Sequence, residues 1–149
     1  MSPSGTTLDP LQHAFFAPKF DSATVLDAMR VGVVSCAADT PLREAARMMA
    51  TYRIHSIVVF DLEGGGWTVA SDLDVVAAAG DDLDRRTVGE VAVTKLVTVR
   101  AEESLARAAE LMTEHRVAHL VVVHPDDGHP IGVLSTLDVA GVLAWGGTA

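Results

Sequence analysis

The sequence predicts a mixed α/β fold, built from two intertwined β-α-β-β-α halves. Three observations predict it. The chain repeats itself in order. Each copy carries one apolar helical stripe. Each copy also carries a short, uninterrupted β-rich run. The repeat is the strongest of the three, because many matches fall at one constant spacing. Thr24-Val25 matches Thr87-Val88, and Val33-Val34-Ser35 matches Leu96-Val97-Thr98. Leu42, Ala45, Ala46 and Met49 match Leu105, Ala108, Ala109 and Met112; Arg53 matches Arg116. Ile57–Phe60 matches Leu120–Val123. After a one-residue insertion, Val69-Ala-Ser-Asp-Leu-Asp74 matches Val133-Leu-Ser-Thr-Leu-Asp138.

Taken in order, residues 1–22 read as an N-terminal arm holding Phe15, Phe16 and Phe20, three of the four phenylalanines. Disordered tails rarely gather aromatics this way. The arm is expected to pack on the core or on a partner subunit, the other reading being a lid over a ligand cleft. Residues 23–80 form repeat one, 81–86 a polar linker, 87–145 repeat two and 146–149 a tail. In each repeat the apolar quartet at i, i+3, i+4 and i+7 predicts a helix with one buried stripe. Thr40-Pro41 reads as the first helix start, with Pro41 at the first helical position. Ile57–Phe60 and Leu120–Val123 read as strands buried on both faces. Gly64–Gly66 and Pro125–Gly128 read as the following turns. Each turn leads into a second strand that runs straight into a helix starting near Ser71 or Ser135. A repeat of roughly 60 residues is marginal alone, so the two copies are expected to pack face to face.

The strand-to-helix junctions are where chemistry is expected. A helix N-terminus offers unpaired N–H groups and partial positive charge, a seat for an anion such as phosphate. A carboxylate beside it can accept hydrogen bonds from sugar hydroxyls. Ser71 with Asp74 and Ser135 with Asp138 have this form. The same spacing is that of a capping box, which accounts for these residues without any ligand. Arg53 and Arg116 follow the amphipathic helices, where the helix dipole alone favours a cation.

With these residues in view, the chain resembles a tandem pair of CBS domains, also called a Bateman module. The resemblance rests on Gly132-Val-Leu-Ser-Thr-Leu-Asp138 and its twin Thr68-Val-Ala-Ser-Asp-Leu-Asp74. It rests also on Tyr52-Arg-Ile-His-Ser-Ile-Val-Val-Phe-Asp61 and His115-Arg-Val-Ala-His-Leu-Val-Val-Val-His124, and it covers residues from about 24 to 143. It implies repeats related by a pseudo-two-fold axis. It also implies an adenosine-containing ligand (AMP, ADP, ATP, S-adenosylmethionine, sometimes NAD) in clefts between the repeats. Ser71 and Ser135 would then contact phosphate, and Asp74 and Asp138 the ribose hydroxyls. Arg53 and Arg116 would reach phosphate. The segments Ile54, His55, Ser56, Ile57 and Val117, Ala118, His119, Leu120 would line adenine pockets, largely through backbone groups. The family associates further as a dimer of modules. This chain departs from the family pattern in Val58 and Val121, where proline is frequent. It departs again in Thr68, where glycine is usual, with Trp67 before it. Glycine permits close backbone approach, so repeat two is expected to hold the better seat.

Composition narrows the function. The formal net charge of −9 repels phosphate backbones, so no nucleic-acid partner is expected. No apolar run reaches transmembrane length and residues 1–7 lack signal-peptide features, so the expectation is a cytoplasmic protein with no membrane partner. Cys36 is the single cysteine, which excludes an internal disulfide; it reads as a small packed residue. His115 and His119 have the spacing of a metal pair. A helix ending near His115 breaks that geometry, and His124 and His129 follow with no obvious further ligand, so no metal is expected. His55 reads as a packed or pocket-wall residue. Met48, Met49 and Met112 read as core or module contact. No nucleophile–base set, P-loop or dinucleotide fingerprint is present. The sequence therefore reads as a stand-alone, non-enzymatic regulatory module with no obligatory cofactor, acting on a separate target protein. The other reading is a structural or dimerisation module with empty pockets.

Overall fold

The computed structural model describes residues 19–61 and 63–146. Phe15, Phe16 and most of the aromatic arm lie outside the described residues. Phe20 lies within them, in a single 3-10 turn, Phe20–Ser22.

The chain divides into two compact units. Among the described residues, one takes Val33–Leu96; the other takes residues 19–32 together with 97–146. Each unit therefore contains the body of one repeat plus the opening segment of the other. This exchange is the intertwining expected from the repeat.

The repeat-one unit holds β2 (Ser35–Ala37), α2 (Leu42–Tyr52), β3 (Ser56–Phe60), β4 (Trp67–Ser71), α3 (Asp72–Ala77) and α4 (Val88–Val91). Its sheet has the order β2-β3-β4, with β2 parallel and β4 antiparallel to β3. Leu42, Ala45 and Met49 of α2 pack on Ile57, Val59 and Ala70 of the sheet, and Val88 of α4 completes that core. Cys36 is half-buried against it.

The repeat-two unit begins with α1 (Val25–Ala28) and β1 (Arg30–Val31). It resumes with β5 (Thr98–Arg100), α5 (Leu105–His115), β6 (His119–Val123), β7 (Pro130–Ser135) and α6 (Thr136–Trp145). Its sheet has the order β1-β7-β6-β5. Leu105, Ala108 and Met112 repeat the stripe of α2 and pack with Val25, Leu120, Val122 and Leu134. Phe20 packs, partly buried, against this core. Val58 and Val121, on the opposite strand faces, are 2% exposed. The central strands are thus buried on both faces, as their unbroken apolar runs predict.

Both stripe helices end alike. Arg53 and Arg116 adopt left-handed backbone, φ 55° and ψ 48°, and each donates its N–H to the carbonyl of Met49 or Met112. An L-residue in that region costs about 1–2 kcal/mol, offset here by closing the last helical turn.

The helix starts differ. Ser104 caps α5 with its hydroxyl, which accepts the Arg107 N–H at 3.0 Å. Pro41 is not the first helical residue, as the sequence suggested, but the one before it. Its ψ of 142° is extended, and its carbonyl accepts the N–H groups of Glu44 and Ala45. The locked proline φ suits either position, so the ring alone did not fix the boundary.

The two sheets differ at one edge. In the repeat-two unit β1 pairs antiparallel with β7, Val31 opposite Gly132. A Cβ on Gly132 would meet the Arg30 carbonyl oxygen and the Met29 Cε at 2.4 Å each. Glycine there admits the fourth strand. Thr68 holds the equivalent place in β4, whose only sheet partner among the described residues is β3.

Candidate functional site

Each unit carries one strand-to-helix seat. In the repeat-one unit Ser71 is the N-cap of α3. Its hydroxyl accepts the Asp74 N–H at 3.2 Å and its own N–H donates to Asp74 Oδ2 at 3.0 Å. In the repeat-two unit Ser135 caps α6 the same way, at 3.1 and 2.9 Å. Both are complete capping boxes, so the structural role read in the sequence is present in both copies.

The segments expected to line a base lie against these seats within each unit. The Asp72 N–H donates to the His55 carbonyl and the Thr136 N–H to the Ala118 carbonyl, at 2.8 and 2.9 Å. Ser56 faces Ser71 across the β3–β4 ladder, and His119 faces Ser135 across β6–β7. The side chains divide. Ile57 and Leu120 are wholly buried core residues, and Ile54 and Val117 pack partly buried on the same cores. Ala118 is exposed and His119 half-buried. His55, expected as a packed or pocket-wall residue, is 68% exposed, its Nδ1 2.7 Å from Asp72 Oδ2. The acid one residue past the Ser71 cap draws it outward. Arg53 and Arg116 are exposed at the helix C-caps.

The two seats part company at the carboxylates. Asp74 is 6% exposed. Its Oδ2 also receives the N–H of Thr94 at 3.3 Å and the Thr94 hydroxyl at 2.7 Å. Thr94 Oγ1 lies 2.8 Å from Ser71 Oγ as well. One hydroxyl proton cannot serve both. Thr94 gives its proton to the carboxylate, the stronger acceptor, and takes that of Ser71. The first seat is thus filled by the chain itself. Asp138 keeps Oδ1 outside the capping box. The nearest cation is Arg30, whose Nε lies 3.7 Å away and whose side chain is 68% exposed. In both acids Oδ1 lies outside the capping box; the seats differ at Oδ2, where Asp74 takes two further bonds from Thr94 and Asp138 takes the Ser135 N–H alone among the described residues.

Sequence reasoning missed Thr94 and Arg30. Both lie in the opening segment of a repeat, Arg30 in β1 and Thr94 ahead of β5. Both act on the seat of the unit that segment joins, which is set by the chain exchange and not by local pattern. The sequence signal available was the mismatch of Arg30 with Val93 and of Val31 with Thr94 in otherwise matching repeats.

The remaining candidates resolve simply. Helix α5 ends at His115 and His119 opens β6, so this pair shares no helix face. Burial pushes the Cys36 thiol up, partly countered by a hydrogen bond with Thr40, which suits an unreactive packed cysteine. Among the described residues, no helix is long and apolar enough to cross a membrane.

Two α/β units with mixed sheets, each presenting a capped strand-to-helix seat, define a tandem CBS pair. The CBS domain model matches residues 25–66 and 88–144, and the chain belongs to that family. Homoserine O-acetyltransferase of Methanocorpusculum labreanum is 31% identical over 123 residues, 80% of this chain but 24% of that protein. The chain thus spans about a quarter of that relative. The CBS domain-containing protein YhcV of Bacillus subtilis is 28% identical over 121 residues, 79% of this chain and 84% of that protein. Among solved structures, CBSX2 in complex with AMP matches with a TM-score of 0.66 and 25% identity, over 83% of this chain and 97% of that one.

Proposed function

We propose that this chain is a regulatory, non-enzymatic module in which the repeat-two seat takes one adenosine-containing ligand. The observation that carries the reading is the unequal state of the two carboxylates. Asp138 Oδ2 takes its capping-box bond and Oδ1 lies beside the exposed Arg30, whereas Asp74 Oδ2 takes two further bonds from Thr94 and the side chain is nearly buried. Ser135 and the N–H groups opening α6 would receive phosphate, helped by Arg30. Asp138 would hold the ribose hydroxyls, and the backbone of Val117–His119 would edge the base. That CBSX2 was solved with AMP supports an adenine nucleotide as the first ligand to try. The repeat-one seat, with Ser71, Asp74, Arg53 and His55, is read as vestigial.

Function in this reading is linkage. Ligand favours one arrangement of the module, or of a homodimer of modules, by its differential affinity for the two states. A separate target protein reads the change. A cytoplasmic location belongs to the same reading.

Thermal unfolding with AMP, ADP, ATP, S-adenosylmethionine and NAD in turn tests the ligand class. A ligand at 100 times its Kd adds about 2.7 kcal/mol, or about 5–11 °C in midpoint for a chain of this size. One or more of the five is expected to give such a shift. No shift with any of them, on protein freed of bound nucleotide, overturns the proposal.

A further inference from the structure

The β6–β7 turn carries chemistry that the nucleotide seat does not use. Residues 124–129 read His-Pro-Asp-Asp-Gly-His. The turn is closed by the His124 N–H on the His129 carbonyl at 2.8 Å and the Gly128 N–H on the His124 carbonyl at 2.9 Å. Gly128, at φ 74°, supplies the left-handed residue that lets the chain reverse within this span. The closure sets the two imidazoles face to face, ring centres 5.0 Å apart and planes within 12°. Asp127 lies beside both. Its Oδ1 is hydrogen-bonded to His129 Nδ1 and lies 4.0 Å from His124 Nδ1. One ligand atom from each of the three residues falls within 4.8 Å of the others.

We propose that His124, Asp127 and His129 form a binding site for a divalent transition metal of borderline softness, such as Zn2+. Two imidazole nitrogens and one carboxylate oxygen are the donor set such ions prefer. Bond lengths of about 2.0–2.2 Å in a tetrahedral site put neighbouring ligand atoms about 3.3 Å apart. The Asp127–His129 contact must open and the Asp127–His124 separation close by less than about an ångström each, and the two stacked rings must turn so that their nitrogens converge. The ion replaces the proton shared by Asp127 and His129. It also replaces the 3.1 Å hydrogen bond that His124 Nδ1 accepts from the Asp126 N–H. Three protein ligands leave a fourth position for water.

The site belongs to repeat two alone. The matching β3–β4 turn holds Asp61, Glu63 and three glycines, with no histidine. It also lies at the far end of its hairpin. Val123 pairs with Pro130 at the turn and His119 with Ser135 at the seat, about 13 Å apart at the rise of a β-strand. Metal and nucleotide would bind without sharing a residue.

The test is calorimetric titration of the full chain, freed of metal with chelator, with ZnCl2. Wild type is expected to bind one ion per chain. His129→Ala and Asp127→Asn, on an exposed turn, are each expected to weaken binding at least about tenfold, with the metal-free thermal midpoint unchanged. His115→Ala, outside the turn, is expected to bind as wild type. No binding by wild type overturns the proposal. So does equal binding by the His129 and Asp127 variants, which places the ion elsewhere.

Discussion

Asp74 and Asp138 are the same residue in two copies of one motif, and each closes the same capping box. What differs is the residue that meets the far side of the carboxylate. Thr94 brings a hydroxyl and a backbone N–H to the nearly buried Asp74; Arg30 brings a solvated guanidinium to Asp138. The energies differ accordingly. A hydrogen bond to a buried charged group contributes about 1.5–3 kcal/mol, so Thr94→Val is expected to lower stability by about that much. A pair at 3.7 Å whose guanidinium is 68% exposed contributes less than about 1 kcal/mol, so Arg30→Ala is expected to leave stability nearly unchanged while weakening nucleotide binding. Urea unfolding of both variants checks the ordering. Equal losses would mean that Thr94 does not close the first seat. The capping boxes were legible in the sequence because Ser-x-x-Asp is a local pattern. Thr94 and Arg30 were not, because nothing local says which unit residues 29–31 and 93–94 join.

At the scale of elements, the stripe helices and buried strands were legible within a residue or so, since periodicity and β-rich runs are properties of short windows. Pro41 fell one place outside its expected position because its fixed φ suits both. The fourth strand of the repeat-two sheet was not foreseen. Arg30–Val31 carries no strand signal of its own. It is held by β7, which admits it at Gly132. The sequence had flagged Gly132 against Thr68 as a matter of pocket space, and the structure gives that difference a second meaning in strand pairing. Gly132→Val is therefore expected to cost about 1–3 kcal/mol through overpacking against the Arg30 carbonyl. It is also expected to displace β1, and with it Arg30. The readouts are a lower urea midpoint at unchanged m-value and weaker nucleotide binding. A variant as stable as wild type would show that β1 does not depend on the glycine.

At the scale of the molecule, the exchange of short segments ties each unit to chain from both repeats, and it leaves apolar side chains outside. Leu73 and Val76 on α3, and Leu137 and Leu143 on α6, are each at least 60% exposed. Helical faces of this kind are suited to burial against another subunit, in keeping with the proposed homodimer. Light scattering behind size exclusion is expected to give twice the chain mass for wild type and the monomer mass for Leu137→Glu. A wild-type monomer at micromolar concentration would remove the dimer from the account. The number of working seats is measured by calorimetric titration of the best ligand from the thermal series. One ligand per chain is expected, lost in Asp138→Ala and retained in Asp74→Asn. Two ligands per chain, or undiminished binding by Asp138→Ala, would contradict it.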